Sequence, residues 1–335
     1  MNNDVHVTRE LLRGSNPVPP AMTTGAATDP MGKGTLARIL AVPRTPTAPG
    51  WRSPRSRRFA AVAAAGSTAL FAVSFALAPH GGVERVYAMT PPLLDYRASA
   101  AVPTGQQLLR QLAVVAERQP PKPAGRYDFV KTRGWYYDVA VGLNGAVTGQ
   151  LDPTFREQWI AADGSGRVEE TRSGRRSLHN NLPAGGLRGP QAWPTDPTAL
   201  RAKLALSHPS SGTSEWFTAM GDVWDVQSVS PRLQAGLLHI LADQPTLTNA
   251  GTLTDRIGRT GVAVSTESRN SGLNTRYTLI FDAKTGMLLD FEQVLLEAGK
   301  LPLKVPATSS YTVWITTGHV NTIGKAPTNT EDKQV

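Results

Sequence analysis

Phe59 to Ala78 is a run of twenty residues without a charged side chain. As a helix rising about 1.5 Å per residue it spans roughly 30 Å, the thickness of a bilayer's hydrocarbon core. The run is entered through Trp51-Arg-Ser-Pro-Arg-Ser-Arg-Arg58 and left through Pro79-His80-Gly81-Gly82. Phe59, Val62, Leu70, Phe71, Val73, Phe75 and Leu77 carry most of its apolar area, the rest being largely alanine. A buried Ala-rich helix of a soluble domain needs packing partners, and flanks this rich in proline and glycine are poor at building them. The expectation is therefore one transmembrane helix at 59–78.

Orientation follows from the basic residues. Residues 1–58 hold nine Lys/Arg against three Asp/Glu, and Arg52, Arg55, Arg57 and Arg58 sit directly against the run. Positive charge stays in the cytoplasm, so the N-terminus is expected inside and everything after Ala78 outside. A cleaved signal peptide competes for the same stretch. Val86-Tyr87-Ala88 has the small residues for cleavage but lies too far beyond the apolar run, and Ala76-Leu77-Ala78 is followed by Pro79. An uncleaved signal anchor fits better.

The net charge of +9 divides unevenly. The tail contributes 9 − 3 = +6 and the remainder 26 − 23 = +3, so most of the basicity belongs to membrane topology and anionic lipid, and nucleic acid is not an expected partner. Arg172, Arg175 and Arg176 form a local cluster that reads as a solvated turn. There is no cysteine, which removes disulfides, thiol nucleophiles, thiolate metal sites and a lipidated anchor.

The tail has two short helical stretches, Thr8-Arg-Glu-Leu-Leu-Arg13 and Gly34-Thr-Leu-Ala-Arg-Ile-Leu-Ala41, separated by Pro17, Pro19 and Pro20. They hold too few leucines for a core and suit a segment that orders on a partner. Met31-Gly-Lys-Gly-Thr35 resembles the end of a phosphate-binding loop, but Ala27 stands where the motif needs glycine and no apolar strand precedes it.

Beyond the span, Leu93-Leu-Asp-Tyr-Arg97 reads as a first strand and Gly105 to Glu117 as a helix with Leu108, Leu109, Leu112, Val115 and Ala116 on one side. Tyr127 to Lys131 and Trp135 to Val141 read as two strands, with Asn144-Gly145 as a hairpin turn. Phe155 to Ile160 and Arg167 to Thr171 follow around Asp163-Gly-Ser-Gly166, then a loop from Ser177 to Trp193. Helices are expected after Thr195-Asp-Pro197, over Glu215 to Trp224, and from Ser230-Pro231 onward. Strand signals return at Thr252 to Ile257, Gly261 to Glu267, Thr275 to Phe281, Met287 to Leu296 and Ser310 to His319. The order predicts an α+β fold: a curved antiparallel sheet, half-barrel-like, covered by helices on its concave side and preceded by the single transmembrane helix.

Catalytic patterns are missing. The histidines at 6, 80, 179, 208, 239 and 319 form no metal-binding pair, and no Gly-x-Ser-x-Gly elbow occurs. His239, within a leucine-rich helix, reads as a polar edge or a satisfied core residue. Glu169-Glu170 and Asp222/Asp225 read as solvated faces, because general acid–base work needs carboxylates opposed across a cleft. Tyr127, Phe129, Trp135, Tyr136, Tyr137 and Trp159 suit either an apolar groove or a sheet core. No catalytic, cofactor-binding or metal-ligating residue is assigned, and no cofactor is expected.

Several runs carry a family likeness: Thr90-Pro-Pro-Leu-Leu94, Gly125-Arg-Tyr-Asp-Phe-Val-Lys-Thr132 with Gly134-Trp-Tyr136, Arg156-Glu-Gln-Trp-Ile-Ala161 with Asp163-Gly164, Trp193-Pro-Thr-Asp-Pro197 and Phe281-Asp-Ala-Lys-Thr-Gly-Met-Leu288. In the tail Leu11-Leu-Arg13, Asn16-Pro-Val-Pro19 and Ala37-Arg-Ile-Leu-Ala41 join them. Through these the chain resembles a family of uncharacterised single-pass membrane proteins of actinobacteria, which has no established catalytic residues to carry over. More loosely, Arg259-Thr-Gly-Val-Ala263, Tyr277-Thr-Leu-Ile-Phe281 and Asp282-Ala-Lys-Thr-Gly286 are similar to the half-barrel of lipoprotein carriers and of envelope-stress regulators that bind anti-sigma factors. Fold does not fix function.

The expected organisation is a cytoplasmic tail at 1–58, mostly disordered, the span at 59–78, a linker at 79–92, an extracytoplasmic α+β domain at 93–322 and a flexible tail at 323–335. The expected function is a membrane-anchored binding or sensor domain outside, for an apolar or peptide ligand. Its inner tail would engage a cytoplasmic protein such as a sigma factor in the manner of an anti-sigma envelope regulator. The tail lacks the histidine and cysteines of zinc-containing anti-sigma factors. A tethered lipid or lipoprotein carrier or adhesion module without signalling is the alternative, and an exported hydrolase the third reading.

Overall fold

Aromatic and β-branched residues in period-two alternation build the longest strands of this chain. In the computed structural model, which describes residues 90–95, 103–141, 147–207 and 212–327, β1 is a single strand from Tyr127 to Val141. The two shorter strands expected there are one, because Gly134 between them continues the ladder, flush against the Tyr136 ring where a Cβ would come within 3.1 Å. Asn144-Gly145 lies outside the described residues, as do the span at Phe59–Ala78, the tail helices and Met31–Thr35. Among the described residues no helix is long and apolar enough to cross a membrane.

The remaining strands are β2 (Val147–Ala161), β3 (Gly166–Arg172), β4 (Arg175–Leu182), β5 (Thr248–Thr254), β6 (Thr260–Ser268), β7 (Thr275–Phe281), β8 (Leu288–Leu295) and β9 (Ala307–Val320). They form one curved, unclosed antiparallel sheet in the order β4-β3-β2-β1-β9-β8-β7-β6-β5. The first and last long strands therefore meet at its centre, with Trp135 opposite Tyr311 and their rings stacked at 6.5 Å.

Three sequence expectations are corrected. Leu93 to Asp95, the described part of the strand expected at Leu93–Arg97, joins no strand, and the two prolines before it have no N–H for a ladder. Ser177 to Leu182 belongs to β4 rather than to a loop, because Ser173 and Gly174, at φ 46 and 75, make a two-residue hairpin between Arg172 and Arg175. Residues 255–257, assigned to a strand, form a turn closed on the Asp255 carboxylate.

Four helices among the described residues cover one sheet face. In α1 (Gly105–Glu117), Thr104 and Gln107 exchange reciprocal side-chain bonds to backbone N–H groups at 3.2 and 2.9 Å, a capping box. At the start of α2 (Pro197–Ser207), Asp196 accepts from the Ala199 N–H. In α3 (Thr213–Val226), Phe217, Met220, Val223 and Trp224 share a buried face. In α4 (Pro231–Ala242), Ser230 caps the Leu233 N–H and proline sits in the first turn.

These faces meet Val130, Val264, Tyr277, Leu279, Phe281, Phe291 and Trp314 from the sheet, giving the main core. Each fully buried Phe or Leu in it is worth about 1.5–3 kcal/mol of burial. The turn at Asp282–Gly286 docks against α1 and α4: Gln234 donates to the Thr285 carbonyl and Gln119 to that of Lys284. Gly286, at φ 70, lies so close that a Cβ would be 2.8 Å from the Leu112 carbonyl.

The opposite sheet face has no helix packed on it among the described residues. Trp135, Tyr137, Val139, Tyr311 and Val313 are buried there beneath Leu301, Leu303 and Val305 of the β8–β9 connection. Toward the other edge, Leu253, Ala263, Ile280 and Leu289 are covered in part by Leu94. At the β1–β2 end, Phe129 and Trp159 pack with Ile323, and the Trp159 indole donates to the Lys325 carbonyl at 2.7 Å.

Candidate ligand-binding surface

The β5–β6 turn, Asp255-Arg-Ile-Gly-Arg259, holds two arginines in fixed places. Asp255 accepts from the Ile257 and Arg259 N–H groups at 3.0 and 2.8 Å and from Arg259 Nε at 2.7 Å. Arg259 in turn donates to the Trp314 and Leu289 carbonyls, pinning the turn to the sheet. Gly258, at φ 91, supplies the left-handed step. The result directs Arg256 across the helix-free face.

There the Arg256 guanidinium is 2.6 Å from Glu292 Oε1 on β8, 3.2 Å from Thr308 Oγ1 on β9 and 5.1 Å from the Tyr311 ring centre. Its Nη1 donates to the Pro92 carbonyl. Leu94 packs against Leu253, Ile280 and Leu289. The chain segment that follows the expected span thus lies on this face, with the Pro92 carbonyl on Arg256 and Leu94 on the sheet. Pro92 and Asp95 are exposed and Leu93 is 41% exposed. Leu93, Leu94, Leu253, Arg276, Thr278, Glu292 and Val294 line a cavity of about 10 Å³, close to the room one water needs.

The acids under this segment are unusual. Asp290 and Glu292 are 0% and 2% exposed, and both carboxyls are pushed up by burial. The neighbouring acids Glu292 and Asp255 push Asp290 up further, while Arg256 draws both down. Asp290 Oδ1 and Glu292 Oε2 are shut from solvent with no hydrogen-bond partner among the described residues. Such orphaned oxygens are costly, so the arrangement suits a site that a donor can enter.

On the helix-covered face two further polar clusters occur. Asp222 and Asp225, one helical turn apart on α3, are not a solvated face: Asp222 is 4% exposed and Asp225 is half-buried. The covering partner is the β1–β2 ladder, whose Gln158 donates to the Asp225 carbonyl. Burial, then Asp222, raises the Asp225 carboxyl to about 7, against the opposing pull of Arg156, the Trp314 indole and Arg188. Tyr136, bonded to Thr312 at 3.0 Å, is raised to about 12 by burial and by Asp225.

At the far end of β1, Lys122 donates to Ser228 at 3.1 Å and Thr317 at 3.3 Å. Burial lowers its ammonium to about 8, with Asp128 opposing. His319 is raised by its bond to Asp128, at 3.4 Å, and its Nδ1–H donates to the Pro123 carbonyl at 3.0 Å. A lysine so tuned can draw a proton from serine, but Ser228 is 5% exposed and offers a substrate almost no surface.

The other residues singled out in the sequence are dispersed. Glu169 is half-buried and ion-paired with Arg167 and Arg176, so it too departs from the solvated face expected, while Glu170 points to the other side of β3. Arg172, Arg175 and Arg176 are exposed around the Ser173-Gly174 turn as expected, with Arg172 paired with Asp138 and Asp152. His239 is exposed in the last turn of α4. His6, His80 and His208 lie outside the described residues. Tyr127, Phe129, Trp135, Tyr137 and Trp159 are buried on the helix-free face, whereas Tyr136 alternates to the helix side. Arg256, Asp290 and Glu292 went unnoticed in the sequence because a polar turn and an alternating strand look the same whether or not something covers them.

No protein-family model matches the chain, and no curated protein matches it either. Five solved chains do. One is MucB, in a crystal structure of its complex with MucA(peri), at 14% identity and a TM-score of 0.27. The match covers 68% of this chain and 58% of that one, so it spans less than two thirds of the solved protein.

Proposed function

We propose that the chain is a bitopic envelope protein whose outer α+β domain binds an apolar or peptide-like ligand, and whose basic inner tail engages a cytoplasmic partner such as a sigma factor. The observation that carries the reading is the seat of Pro92 and Leu94 beside Arg256 and Glu292, which brings the segment following the expected anchor onto a surface with a small mixed cavity, an apolar patch and orphaned acceptors. Ligand occupancy and the path to the membrane then meet at one place. Binding, rather than turnover, is the role assigned to this surface.

Two measurements test it. Protease added to intact cells is expected to cut the chain after Ala78 and spare residues 1–58; an untouched outer segment in an aqueous fraction defeats the topology. Deleting residues 1–43 is expected to abolish a transcriptional response while leaving the outer domain's ligand binding intact. An unchanged response removes the cytoplasmic partner and leaves a tethered binding module.

A further inference from the structure

The segment lying on Arg256 is an incomplete occupant of its own site. It supplies a carbonyl, that of Pro92, to the guanidinium and a leucine to the apolar pocket. It brings two consecutive prolines, neither of which has an N–H. Beside it, Glu292 lines the cavity that Leu93 and Leu94 border, and its buried Oε2 has no hydrogen-bond partner among the described residues, Arg276 acting on it only through its charge. An acceptor in the wall of a peptide-shaped site is matched by a backbone N–H, which ordinary residues carry and proline lacks.

We propose that Pro91–Leu94 is an exchangeable strap, and that the site beneath it takes an extended, leucine-bearing polypeptide segment of a partner protein. The partner's carbonyl bonds Arg256, its N–H bonds Glu292, and its leucine replaces Leu94. This deepens the reading given above and rests on it: it names the ligand chemistry and its regulation. Several features favour exchange. Arg256 is held in place by Glu292, Thr308 and Tyr311 independently of the strap, so the receptor side is organised before a ligand arrives. Pro92 and Leu93 of the strap are exposed, the condition in which local opening is easy. A segment that satisfies both the cation and the acid outcompetes one that satisfies only the cation, since the buried acceptor is then no longer orphaned.

The test uses the purified full-length chain and two fluorescein-labelled peptides, Thr-Pro-Pro-Leu-Leu-Asp and Thr-Ala-Ala-Leu-Leu-Asp, followed by fluorescence anisotropy. A Leu94→Asp variant, whose strap is dislodged, is expected to bind the alanine peptide at least about tenfold more tightly than wild type. That variant is also expected to prefer the alanine peptide to the proline peptide, and Glu292→Gln is expected to narrow the preference. Leu94→Ala repeats the comparison with a milder change, and circular dichroism checks that each variant is folded. Equal affinity for wild type and the Leu94 variants overturns the exchangeable strap while leaving a peptide-binding domain. No binding to any folded form overturns the site itself, and the tail-deletion experiment decides the proposed function separately.

Discussion

Arg256 and Glu292 form an ion pair at 2.6 Å with 9% and 2% of their side chains exposed, on a sheet face that carries no helix among the described residues. A buried pair is only weakly favourable against apolar groups of the same size, but breaking it strands a charge. Arg256→Met is therefore expected to lower unfolding free energy by about 3–5 kcal/mol, read by urea denaturation. Arg256→Met with Glu292→Met should recover most of that loss; a double variant as unstable as the single one defeats this account.

Asp225 gives a pH dependence with a definite sign. Its carboxyl is ordinary in the unfolded chain and raised to about 7 in the fold, so between about pH 4 and 7 the native state holds the extra proton. Stability from this group is present below the unfolded value and lost as pH rises through the folded one. Asp225→Asn should raise the thermal midpoint more at pH 8 than at pH 5, by a difference worth about 1–3 kcal/mol. A gain independent of pH argues against the buried carboxyl as its source.

Lys122 works in the opposite range. With its ammonium lowered to about 8 by burial, the unfolded chain binds more protons between about pH 8 and 10.5, and stability rises with pH across that window. Removing the amine in Lys122→Met should flatten this rise relative to wild type in denaturation series at pH 7.5, 8.5 and 9.5 (roughly one-unit steps). Parallel curves for the two proteins contradict it.

Gly286 tests the docking of the β7–β8 turn. Alanine there meets both a left-handed backbone, φ 70, and the Leu112 carbonyl at 2.8 Å. Gly286→Ala is expected to cost about 1–3 kcal/mol, whereas Gly174→Ala, at φ 75 with open space around it, should cost about 1. Similar losses at both positions remove the contact with α1 from the explanation.

The sequence makes some of this architecture readable and hides the rest for identifiable reasons. Gly105–Glu117 and Thr275–Phe281 have the expected bounds because capping, periodicity and turn residues agree there. β4 is hidden because Arg175, Arg176 and Ser177 are polar, and only Ser173-Gly174 announces the hairpin. The burial of Asp222 and Asp225 is invisible in an ordinary helical spacing, since what covers them comes from β1 and β2, far away in the chain. Arg256 and Glu292 are brought together across 36 positions by sheet order, which no local pattern encodes.

The adjacency of β1 and β9 has a consequence for synthesis. A nascent chain that ends between Leu295 and Ala307 holds two stacks of paired strands, each with an unpaired central edge, β1 in one and β8 in the other. Such fragments are prone to join one another edge to edge, so the finished sheet must await the last strand, and folding is slow and late rather than progressive along the ribosome.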